Sequence, residues 1–361
     1  MVKLREYAIR RLRERNRYWC CLASVFSVLY GGIIRLRNRC YECGFFGIRK
    51  VGCPVISIGN ITTGGTGKTP VVVMLANLFR ERGYTPAVLT RGYGGKTKSS
   101  VGIVSDGRNI LMNFAQAGDE PILIARYAKG IPVIRGSKRF ITGAYAVDKF
   151  DTNLLILDDA FQHRSLYRDI DIVLVDEKRP FGNGCIVPRG ELREPAHALD
   201  RADVIVMTGT DGDVGDPTET RGLLEQFSSI PLFRAIRRPK DIIECETGSR
   251  LPLAYLAGKS VCAFAGIAAP KGFRASLKPL CGRLAVFLPF PDHHVYTEKD
   301  MTRIVAASSA ASADVIITTE KDGIKIENFP EFYKHVYLLR IGVEITPSVD
   351  AFLEVLTAKV R

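Results

Sequence analysis

The chain alternates between short runs of hydrophobic residues and segments with the spacing of amphipathic helices. Strand-like runs lie at 55–58, 86–90, 153–158 and 170–176, and each is followed by polar or glycine residues. A helical pattern, with apolar residues three or four positions apart, follows the first run over 71–79. Continuous apolar runs are typical of strands that are buried on both faces, as in parallel sheets. The pattern therefore predicts an α/β fold with a three-layer α/β/α core.

The last third of the chain repeats this alternation on a smaller scale. Strand-like runs at 260–265 and 315–318 are separated by segments that predict a turn and a helix. They follow a basic, proline-containing stretch at 233–250, which is typical of a linker. We therefore predict four parts, which are an N-terminal helix (1–39), a core (40–232), the linker (233–250) and a smaller C-terminal α/β lobe (251–361).

The N-terminal segment combines arginine clusters with a hydrophobic stretch. Apolar residues dominate from Tyr18 to Ile34, and arginines lie on both sides. A helix needs about 20 apolar residues to cross a bilayer, so this stretch falls slightly short. Basic residues on both sides favour a membrane-associated helix that lies in the interface, or a short tilted insertion. A buried core helix is the alternative.

Composition narrows the class of protein further. The 361 residues are 46% hydrophobic and 25% charged, as in globular proteins, and their formal net charge is +13. Such a charge indicates a polyanionic partner, which can be a nucleic acid, an anionic membrane or a phosphorylated substrate. The nine cysteines follow no regular framework and are typical of reduced residues in the cytosol. A metal site at Cys40, Cys43 and Cys53 lacks a clear fourth ligand.

A glycine-rich turn stands between the first predicted strand and the first predicted helix. An order of strand, glycine loop and helix suits the binding of a polyphosphate. Lys68 would reach the β- and γ-phosphates, and the hydroxyl of Thr69 would ligate Mg²⁺. The strict P-loop pattern has glycine where this chain has Thr62, so the match is imperfect. The predicted nucleotide-binding residues are Thr62, Thr63, Gly64, Gly65, Thr66, Gly67, Lys68 and Thr69.

Two adjacent acids end the strand predicted at 153–158. Asp158 and Asp159 would stand at its carboxyl end, where a Walker B strand presents a carboxylate to Mg²⁺, directly or through water. A solvated strand end is the alternative, and the nearby glycine-rich turn favours the metal. Gln162 and His163 extend towards the same region, where His163 would orient a phosphate or cap a turn.

Further charged residues follow other predicted elements. Arg91 begins a glycine-rich loop after the strand at 86–90, where it would meet phosphate or form an ordinary turn. Asp119 opens a helix, either as the acceptor of a proton from an attacking hydroxyl or as a capping group. Arg193 and Glu194 lie in a long loop rich in glycine, proline and charge. They are candidates for contacts with the γ-phosphate and Mg²⁺, or else form a surface ion pair.

Several motifs occur together in an order that one enzyme family shares. Besides the turn from Gly59 to Pro70 they are Arg91-Gly-Tyr-Gly-Gly95, Gly118-Asp-Glu-Pro121, Asp158-Asp-Ala-Phe-Gln-His163, Phe181-Gly-Asn-Gly184, Leu192-Arg-Glu-Pro195, Asp292-His293 and Thr319-Glu-Lys-Asp322. In these motifs the chain resembles the tetraacyldisaccharide 4'-kinases of the lipid A pathway in Gram-negative bacteria, over nearly its whole length. Thr62 fits the loop of that family, whereas Ala160 replaces its usual glycine.

The resemblance implies an ATP-dependent lipid kinase with a P-loop NTPase-like core. Such a kinase transfers the γ-phosphoryl group of ATP to the 4'-hydroxyl of a tetraacylated glucosamine disaccharide 1-phosphate, which gives lipid IVA. By similarity, His293 pairs with Asp119 to raise the basicity available to that hydroxyl, and His294 is the second choice. The implied catalytic residues are Asp119, His293 and Lys68. The implied Mg²⁺ ligands are Thr69, Asp158, Asp159 and Glu194. The implied contacts with substrate or phosphate are Arg91, Tyr93, Glu120, Gln162, His163 and Arg193.

The setting that the resemblance implies is the cytoplasmic face of the bacterial inner membrane. The partners would be the acylated disaccharide and the membrane surface, with no nucleic acid, and the chain would be a monomer. Two other classes stay open, namely a P-loop GTPase or ATPase that acts as a switch and a basic nucleic-acid-binding module. The second predicts aromatic residues among basic ones, whereas the arginine clusters here flank an apolar helix.

Overall fold

Two units share the described part of the chain. The computed structural model describes residues 17–92, 100–210, 225 and 227–360. Unit 1 contains residues 1–68, 139–235 and 345–361, as far as they are described, and unit 2 contains residues 69–138 and 236–344.

The described elements alternate between strands and helices, as the hydrophobic pattern predicts. The strands are β1 (Val55–Asn60), β2 (Pro86–Thr90), β3 (Gly102–Asp106), β4 (Pro132–Arg135), β5 (Leu154–Asp158), β6 (Ile170–Asp176), β7 (Val204–Thr210), β8 (Leu232–Glu244), β9 (Arg250–Leu251), β10 (Ser260–Ala265), β11 (Arg283–Pro289), β12 (Val315–Thr319) and β13 (Val336–Thr346). The helices are α1 (Arg17–Glu42), α2 (Lys68–Glu81), α3 (Phe114–Ala117), α4 (Asp119–Tyr127), α5 (Arg139–Phe150), α6 (Pro270–Leu277), α7 (Glu298–Ala310), α8 (Glu320–Ile326), α9 (Pro330–Tyr333) and α10 (Val349–Thr357). Short 3₁₀ turns lie at Ala196–Arg201 and Leu253–Leu256.

Parallel strands in the order β7, β6, β1, β5 form the centre of unit 1. Every residue of β1 and β5 is buried, which agrees with the continuous apolar runs that predict these strands. The register pairs Ile58 with Asp158 on one side and with Ile172 on the other. Because neighbouring parallel strands end at the same edge, the residues after β1 and β5 lie close together.

Most of the remaining strands lie in unit 2 and form two groups, whereas β8 up to Ala235 and β13 from Ile345 belong to unit 1. β2 and β4 are parallel, and β3 pairs with β4 in the antiparallel direction. In the second group, β10 is parallel to both β11 and β12, and β12 is parallel to β13. Alternate side chains of β10 enter two different hydrophobic clusters, since Val261 and Ala263 pack in one and Cys262 and Phe264 in the other. β10 is therefore covered on both faces, as its unbroken apolar sequence requires.

The segment predicted as a linker, residues 233–250, has regular structure, and the chain passes from unit 1 to unit 2 within it, after Ala235. It forms most of the long strand β8, which begins at Leu232, and ends at the start of β9. Its arginines form ion pairs, since Arg234 contacts Glu177 at 2.8 Å and Arg238 contacts Glu344 at 2.9 Å. These partners are distant in sequence, so the sequence around the arginines does not reveal the ion pairs.

The last helix does not belong with the lobe predicted at 251–361. Helix α10 lies in unit 1, where the ring of Phe352 packs edge-on against that of Phe233 at a centroid distance of 5.1 Å. Residues 69–138, predicted as part of the core, lie in unit 2. The predicted boundaries thus follow the order of the chain, whereas the two units are each assembled from separate segments.

Helix α1 is amphipathic in an unusual sense, because one narrow face is buried and the rest of its apolar surface is exposed. The buried stripe consists of Ala23, Ser27, Gly31, Ile34 and Asn38, at helical spacing. Large apolar side chains on the other faces are exposed, and they are Leu22, Val25, Phe26, Val28, Leu29, Ile33 and Leu36. Among the described residues, this is the only helix long and apolar enough to cross a bilayer, although a core helix or a signal sequence would also satisfy that criterion.

Candidate active site

The glycine-rich turn approaches the chain that follows β5. A Cβ atom built on Gly59 would lie 2.5 Å from Cβ and 2.7 Å from the backbone nitrogen of Phe161, so only glycine fits there. Gly64 and Gly67 have φ angles of +134° and +74°, which residues with a side chain rarely adopt. Thr63 donates its N–H to the carbonyl of Glu191 at 2.6 Å. The turn is thus shaped by its glycines and braced by a second loop.

Lys68 stands at the start of α2 and belongs to a cluster that we name the lysine–carboxylate cluster, formed by Asn60, Lys68, Asp159, Gln162 and Arg193. Its Nζ lies 3.2 Å from Asn60 Oδ1 and 3.5 Å from Asp159 Oδ1. Arg193 Nη1 contacts both oxygens of Asp159, at 2.9 and 3.0 Å, and Gln162 Oε1 at 3.5 Å. Gln162 in turn donates to the carbonyl of Asn60 at 2.9 Å.

Asp159 is charged in this setting. Burial would raise its pKa, but the charges of Lys68 and Arg193 outweigh burial and lower the pKa below the usual value. Its φ angle of +50° places it in the left-handed region, which aspartate tolerates better than most residues. One carboxylate therefore contacts two cations and offsets part of their charge.

Two buried polar atoms beside this cluster lack partners among the described residues. They are Nδ2 of Asn60 and Oγ1 of Thr66. A buried donor without an acceptor costs about 1–3 kcal/mol, so it is typical of a place where a ligand binds. Because both atoms are hydrogen-bond donors beside a cationic lysine, the cluster suits an anion with several oxygens.

The other acids and the histidine of this region occupy different positions. Asp158 is the last residue of β5, 3% exposed, and its carbonyl accepts a bond from Arg139 at 3.2 Å. Glu194 is fully buried, and its carboxylate accepts bonds from Asn38 at 2.9 Å and Arg201 at 3.0 Å. The predicted surface ion pair of Arg193 with Glu194 is wrong, because each side chain has other partners.

His163 lies in a turn after β5. Its N–H donates to the carbonyl of Ala160 at 2.8 Å, and its Nε2 lies 3.1 Å from Oγ of Ser165. These are local contacts within the turn. Its predicted contact with phosphate stays a prediction.

A second cluster lies in unit 2, and we name it the carboxylate–imidazole cluster. Asp119, 4% exposed, is the first residue of α4, where the positive end of the helix dipole favours a carboxylate. Its Oδ2 lies 3.0 Å from Nδ1 of His293. His293 is half exposed and has a φ angle of +56°, so its loop presents the ring to Asp119 in a rare backbone conformation. The predicted pairing of these two residues is therefore present.

Two lysines complete this cluster. Lys321 Nζ lies 3.4 Å from Oδ2 of Asp119 and 3.5 Å from Nε2 of His293. Lys325 is 3% exposed, and its Nζ lies 3.9 Å from Oδ2 of Asp119 and 3.2 Å from Oδ1 of Asp322. Asp322 is itself fixed by the N–H of Gly266 at 2.9 Å. The buried carboxylate of Asp119 is thus surrounded by cationic groups.

The electrostatics of the pair follow from these contacts. Burial would raise the pKa of Asp119, but the hydrogen bond with His293 and the charge of Lys321 lower it far below the usual range. The same hydrogen bond raises the pKa of His293, against the opposing effects of burial and Lys321. An ionised carboxylate beside an imidazole is the arrangement that accepts a proton from a hydroxyl and holds it.

His294 has a different environment, although it is the next residue. Its Nε2 lies 3.1 Å from Oδ2 of Asp300, and its ring stacks on Phe290 at 4.8 Å. Asp300 also accepts bonds from Thr297 as part of the cap of α7. His294 is therefore built into the helix cap and the aromatic core, which leaves His293 as the partner of Asp119.

The remaining predicted residues are placed as follows. Thr69 is the second residue of α2 and is half-buried, and Arg91 is exposed directly after β2. Oε1 of Glu120 lies 3.7 Å from Nζ of Lys321. Tyr93 lies outside the described residues.

Four contributors are absent from the predicted site residues: Lys321 and Asp322, which occur only within a motif, and Asn60 and Lys325. Asn60 lies inside the quoted turn, where only its closeness to the lysine gave a signal. Lys325 follows the last motif by three residues and carried no signal of its own.

No group of three or more His, Cys, Asp or Glu residues that could hold a metal ion occurs in the part of the chain that the structure describes. The alternative of a metal site at Cys40, Cys43 and Cys53 is therefore wrong. Burial raises the pKa of Cys53 to about 11, which disfavours the thiolate that a metal would need.

Comparisons with known proteins agree with one another. Residues 19–361 match the family model described as tetraacyldisaccharide-1-P 4'-kinase. A tetraacyldisaccharide 4'-kinase from Syntrophus aciditrophicus is 47% identical over 345 residues, which cover 93% of this chain and 92% of that protein. The protein of the same name from Desulfatibacillum aliphaticivorans is 40% identical, with 93% and 91% covered. Among solved structures, the chain is similar to an "apo" form of LpxK from Aquifex aeolicus in complex with ATP, with a TM-score of 0.76, 31% identity, and 93% and 98% covered.

Proposed function

Since the chain belongs to the tetraacyldisaccharide-1-P 4'-kinase family, we propose that its two clusters divide the work of that family's reaction between them. The protein is an ATP-dependent lipid kinase that phosphorylates the 4'-hydroxyl of tetraacyldisaccharide 1-phosphate in lipid A biosynthesis. The observation that carries the assignment of roles is the contact of 3.0 Å between Asp119 and His293. A nucleotide-dependent switch has no need of a buried base of this kind.

The lysine–carboxylate cluster binds the phosphates of ATP in this proposal. The unpartnered Oγ1 of Thr66 and the backbone of the glycine-rich turn supply donors, and Lys68 meets the β- and γ-phosphates. Arg193 neutralises the charge of the γ-phosphoryl group. Asp159 contacts both cations, Lys68 at 3.5 Å and Arg193 at 2.9 Å, and so holds them beside the glycine-rich turn.

We further propose that the protein binds Mg²⁺ together with ATP. The ion would be held by oxygen ligands from the carboxylates of Asp158 and Asp159, at the end of β5, and from the hydroxyl of Thr69. Mg²⁺ usually keeps several water ligands and also binds the nucleotide phosphates. When bound, it would neutralise charge on the transferred group. Glu194, whose oxygens already accept bonds from three side chains, is the least suited of the four predicted ligands.

The carboxylate–imidazole cluster activates the acceptor. As the oxygen of the 4'-hydroxyl forms its bond with the γ-phosphorus, the bond from that phosphorus to the β–γ bridging oxygen breaks and ADP leaves. The hydroxyl proton passes to the Asp119–His293 pair. Lys321 stabilises the ionised form of Asp119 at 3.4 Å. Arg91, Tyr93, Glu120, Gln162 and His163 are proposed as further contacts with substrate or phosphate.

Helix α1 meets the membrane in this proposal. Its large apolar side chains are exposed, with Val28 at 72% and Ile33 at 65% of the maximum, and arginines 35, 37 and 39 follow them. The opposite face packs against the rest of unit 1, where the hydroxyl of Ser27 donates to the carbonyl of Ile186 at 2.6 Å. A helix bound along one side suits the membrane interface, on the cytoplasmic face of the inner membrane, better than a bilayer crossing. The monomer is the proposed state.

Phosphoryl transfer from labelled ATP to tetraacyldisaccharide 1-phosphate in detergent tests the assignment. Asp119→Asn and His293→Ala should each lower the rate by about 10²- to 10⁴-fold, the range of general-base catalysis. The Asp300–His294 pair offers a matched control, because it has the same chemistry at 3.1 Å in the same unit. Asp300→Asn and His294→Ala should retain most of the activity. Equal losses in both pairs would refute the role of Asp119 and His293.

The wild type separates the kinase from the alternative of a nucleotide switch. Product that depends on the lipid acceptor supports the kinase. ATP hydrolysis at the same rate with and without the lipid would reject the proposed acceptor, because the phosphate then goes to water.

Sedimentation with phosphatidylglycerol vesicles tests the membrane contact. The wild type should bind the vesicles without nucleotide, and Ile33→Glu should abolish this binding. Val305→Glu is the control, because Val305 is also exposed, at 45%, but lies on α7 in the other unit. Unchanged binding of Ile33→Glu would refute the assignment of α1.

A further inference from the structure

The N-terminal helix and the loop that carries Arg193 share a buried contact. Asn38, 8% exposed, lies on the buried stripe of α1, and its Nδ2 donates to Oε2 of the fully buried Glu194 at 2.9 Å. Arg37, the residue before it, donates to the other oxygen of Glu194 at 3.4 Å. Arg193 directly precedes Glu194 in the chain. The side chains of α1 are therefore one residue removed from the guanidinium that contacts Asp159.

Glu194 has a rigid surrounding on its other side as well. Arg201 donates to its Oε2 at 3.0 Å, and the guanidinium of Arg201 lies 4.5 Å from the ring centre of Phe161. A fully buried carboxylate is costly unless each oxygen has a donor. Asn38 supplies one of the two short bonds to Oε2, so an apolar replacement leaves that oxygen with Arg201 alone and loosens the position of the carboxylate.

The backbone around Arg193 is tied to the glycine-rich turn. Its N–H donates to the carbonyl of Ile61 at 2.7 Å, and Thr62 forms a bridge with Leu192. A shift of Glu194 therefore reaches both Arg193 and the start of the turn. Ser27, one helical turn before Gly31 on the stripe, holds the same loop at Ile186.

From these contacts we infer that Asn38 is a positioning residue, which acts through Glu194 to fix Arg193 for phosphate binding. The inference rests on the proposed function, because it assumes that Arg193 meets ATP. It has a consequence for the enzyme at its membrane. Helix α1 exposes its apolar side chains to lipid and also holds the loop that binds the nucleotide. Displacement of α1 from the rest of unit 1 should therefore weaken ATP binding.

ATP affinity of the full-length protein in detergent, measured by calorimetry without the lipid acceptor, tests this inference. Asn38→Leu keeps the approximate size but removes the donor, and we expect its Kd for ATP to rise about tenfold, which corresponds to ~1.4 kcal/mol. Ser24→Ala is the matched control, because Ser24 lies on the same helix and bonds only within it, to the carbonyl of Cys20 at 2.7 Å. Its Kd should stay within about twofold of the wild type.

A double-mutant cycle separates positioning from a general loss of structure. In an Arg193→Ala background, Asn38→Leu should raise the Kd by less than about twofold, because the residue through which it acts is gone. Arg37→Met is a milder variant in case Asn38→Leu folds poorly, and its smaller loss should likewise vanish in that background. Vesicle binding should be unchanged in Asn38→Leu, since the exposed apolar face of α1 and its arginines are intact.

The outcomes are distinguishable. A wild type that does not bind ATP refutes the proposed function. A wild type that binds ATP, together with an Asn38→Leu variant of equal affinity, overturns the inference alone. An equal loss in the wild-type and Arg193→Ala backgrounds also overturns it, because Asn38 would then act by another route.

Discussion

The buried lysine beside Asp119 offers a strong test of the carboxylate–imidazole cluster. Lys325→Met keeps a side chain of similar length but removes its charge. The charge now lies 3.2 Å from Asp322 and 3.9 Å from Asp119, and the lysine is 3% exposed. We predict that the variant loses stability around β12 and α8, and that the pKa of Asp119 rises because one of the cations that lower it is gone.

The geometry sets the size of the effect. At an effective dielectric constant of about 20, the two contacts correspond to attractions of ~5 and ~4 kcal/mol. The cost of burying the three charges offsets most of this gain, and removal of one partner from a buried pair typically costs ~3–5 kcal/mol. Lys334, an exposed lysine 2.5 Å from Glu331, gives the matched control. Solvent screens exposed pairs of that kind, so they contribute little to stability.

Hydrogen exchange at individual amides is the suitable assay, because a chain with two units need not unfold in one step. A loss of ~3–5 kcal/mol in local stability corresponds to a fall of about 10²- to 10³-fold or more in the protection of amides in β12 and α8. Lys334→Met should change protection by less than about tenfold.

A second variant tests the physical reason. If the loss in Lys325→Met comes from an uncompensated buried carboxylate, the double variant Lys325→Met with Asp322→Asn should recover much of it, since both charges are then absent. Protection in Lys325→Met that equals that of Lys334→Met would refute the reasoning. So would a double variant that is less protected than Lys325→Met, because the lost attraction would then not be the cause.

Three further predictions follow from the two clusters. Asp119→Asn should lower the pKa of His293, since the carboxylate raises it in the wild type. In an NMR titration the imidazole should therefore lose its proton at a lower pH in the variant than in the wild type. An unchanged midpoint would contradict the pairing. Gly59→Ala should destabilise the protein by about 1–3 kcal/mol and raise the Kd for ATP, because its Cβ would lie 2.5 Å from Phe161. Gly32→Ala has open space around its Cβ and should leave the Kd unchanged in the same calorimetric assay. Removal of Mg²⁺ with a chelator should abolish transfer and its return should restore it, and transfer that persists without any divalent ion would reject the proposed role of the metal.

Most of the local structure could be predicted from the sequence. The strands at 55–58, 86–90, 170–176 and 260–265 are present, because a run of apolar, β-branched residues bounded by turn residues determines a buried strand from within itself. The glycine-rich turn was equally readable, since its glycines answer a local need for positive φ angles and for the close approach at Phe161. The family resemblance then supplied roles for residues such as His293, which spacing alone could not.

The tertiary structure decided everything that depends on partners far apart in the chain. The basic stretch at 233–250 forms most of strand β8, and its arginines pair with Glu177 and Glu344, which lie far away in the sequence. The sequence around Glu194 is the same whether its side chain faces solvent or Asn38, so it cannot reveal a donor 156 residues away.

The contrast between two adjacent histidines shows the same limit in one place. His293 and His294 are chemically identical and neighbours in sequence, yet one pairs with Asp119 and the other with Asp300. Hydrophobic spacing and turn chemistry act over a few residues, so the sequence by itself determined the strands, the turn and the types of chemical group available. Which carboxylate meets which cation depends on how distant segments pack, and only the folded chain determined that.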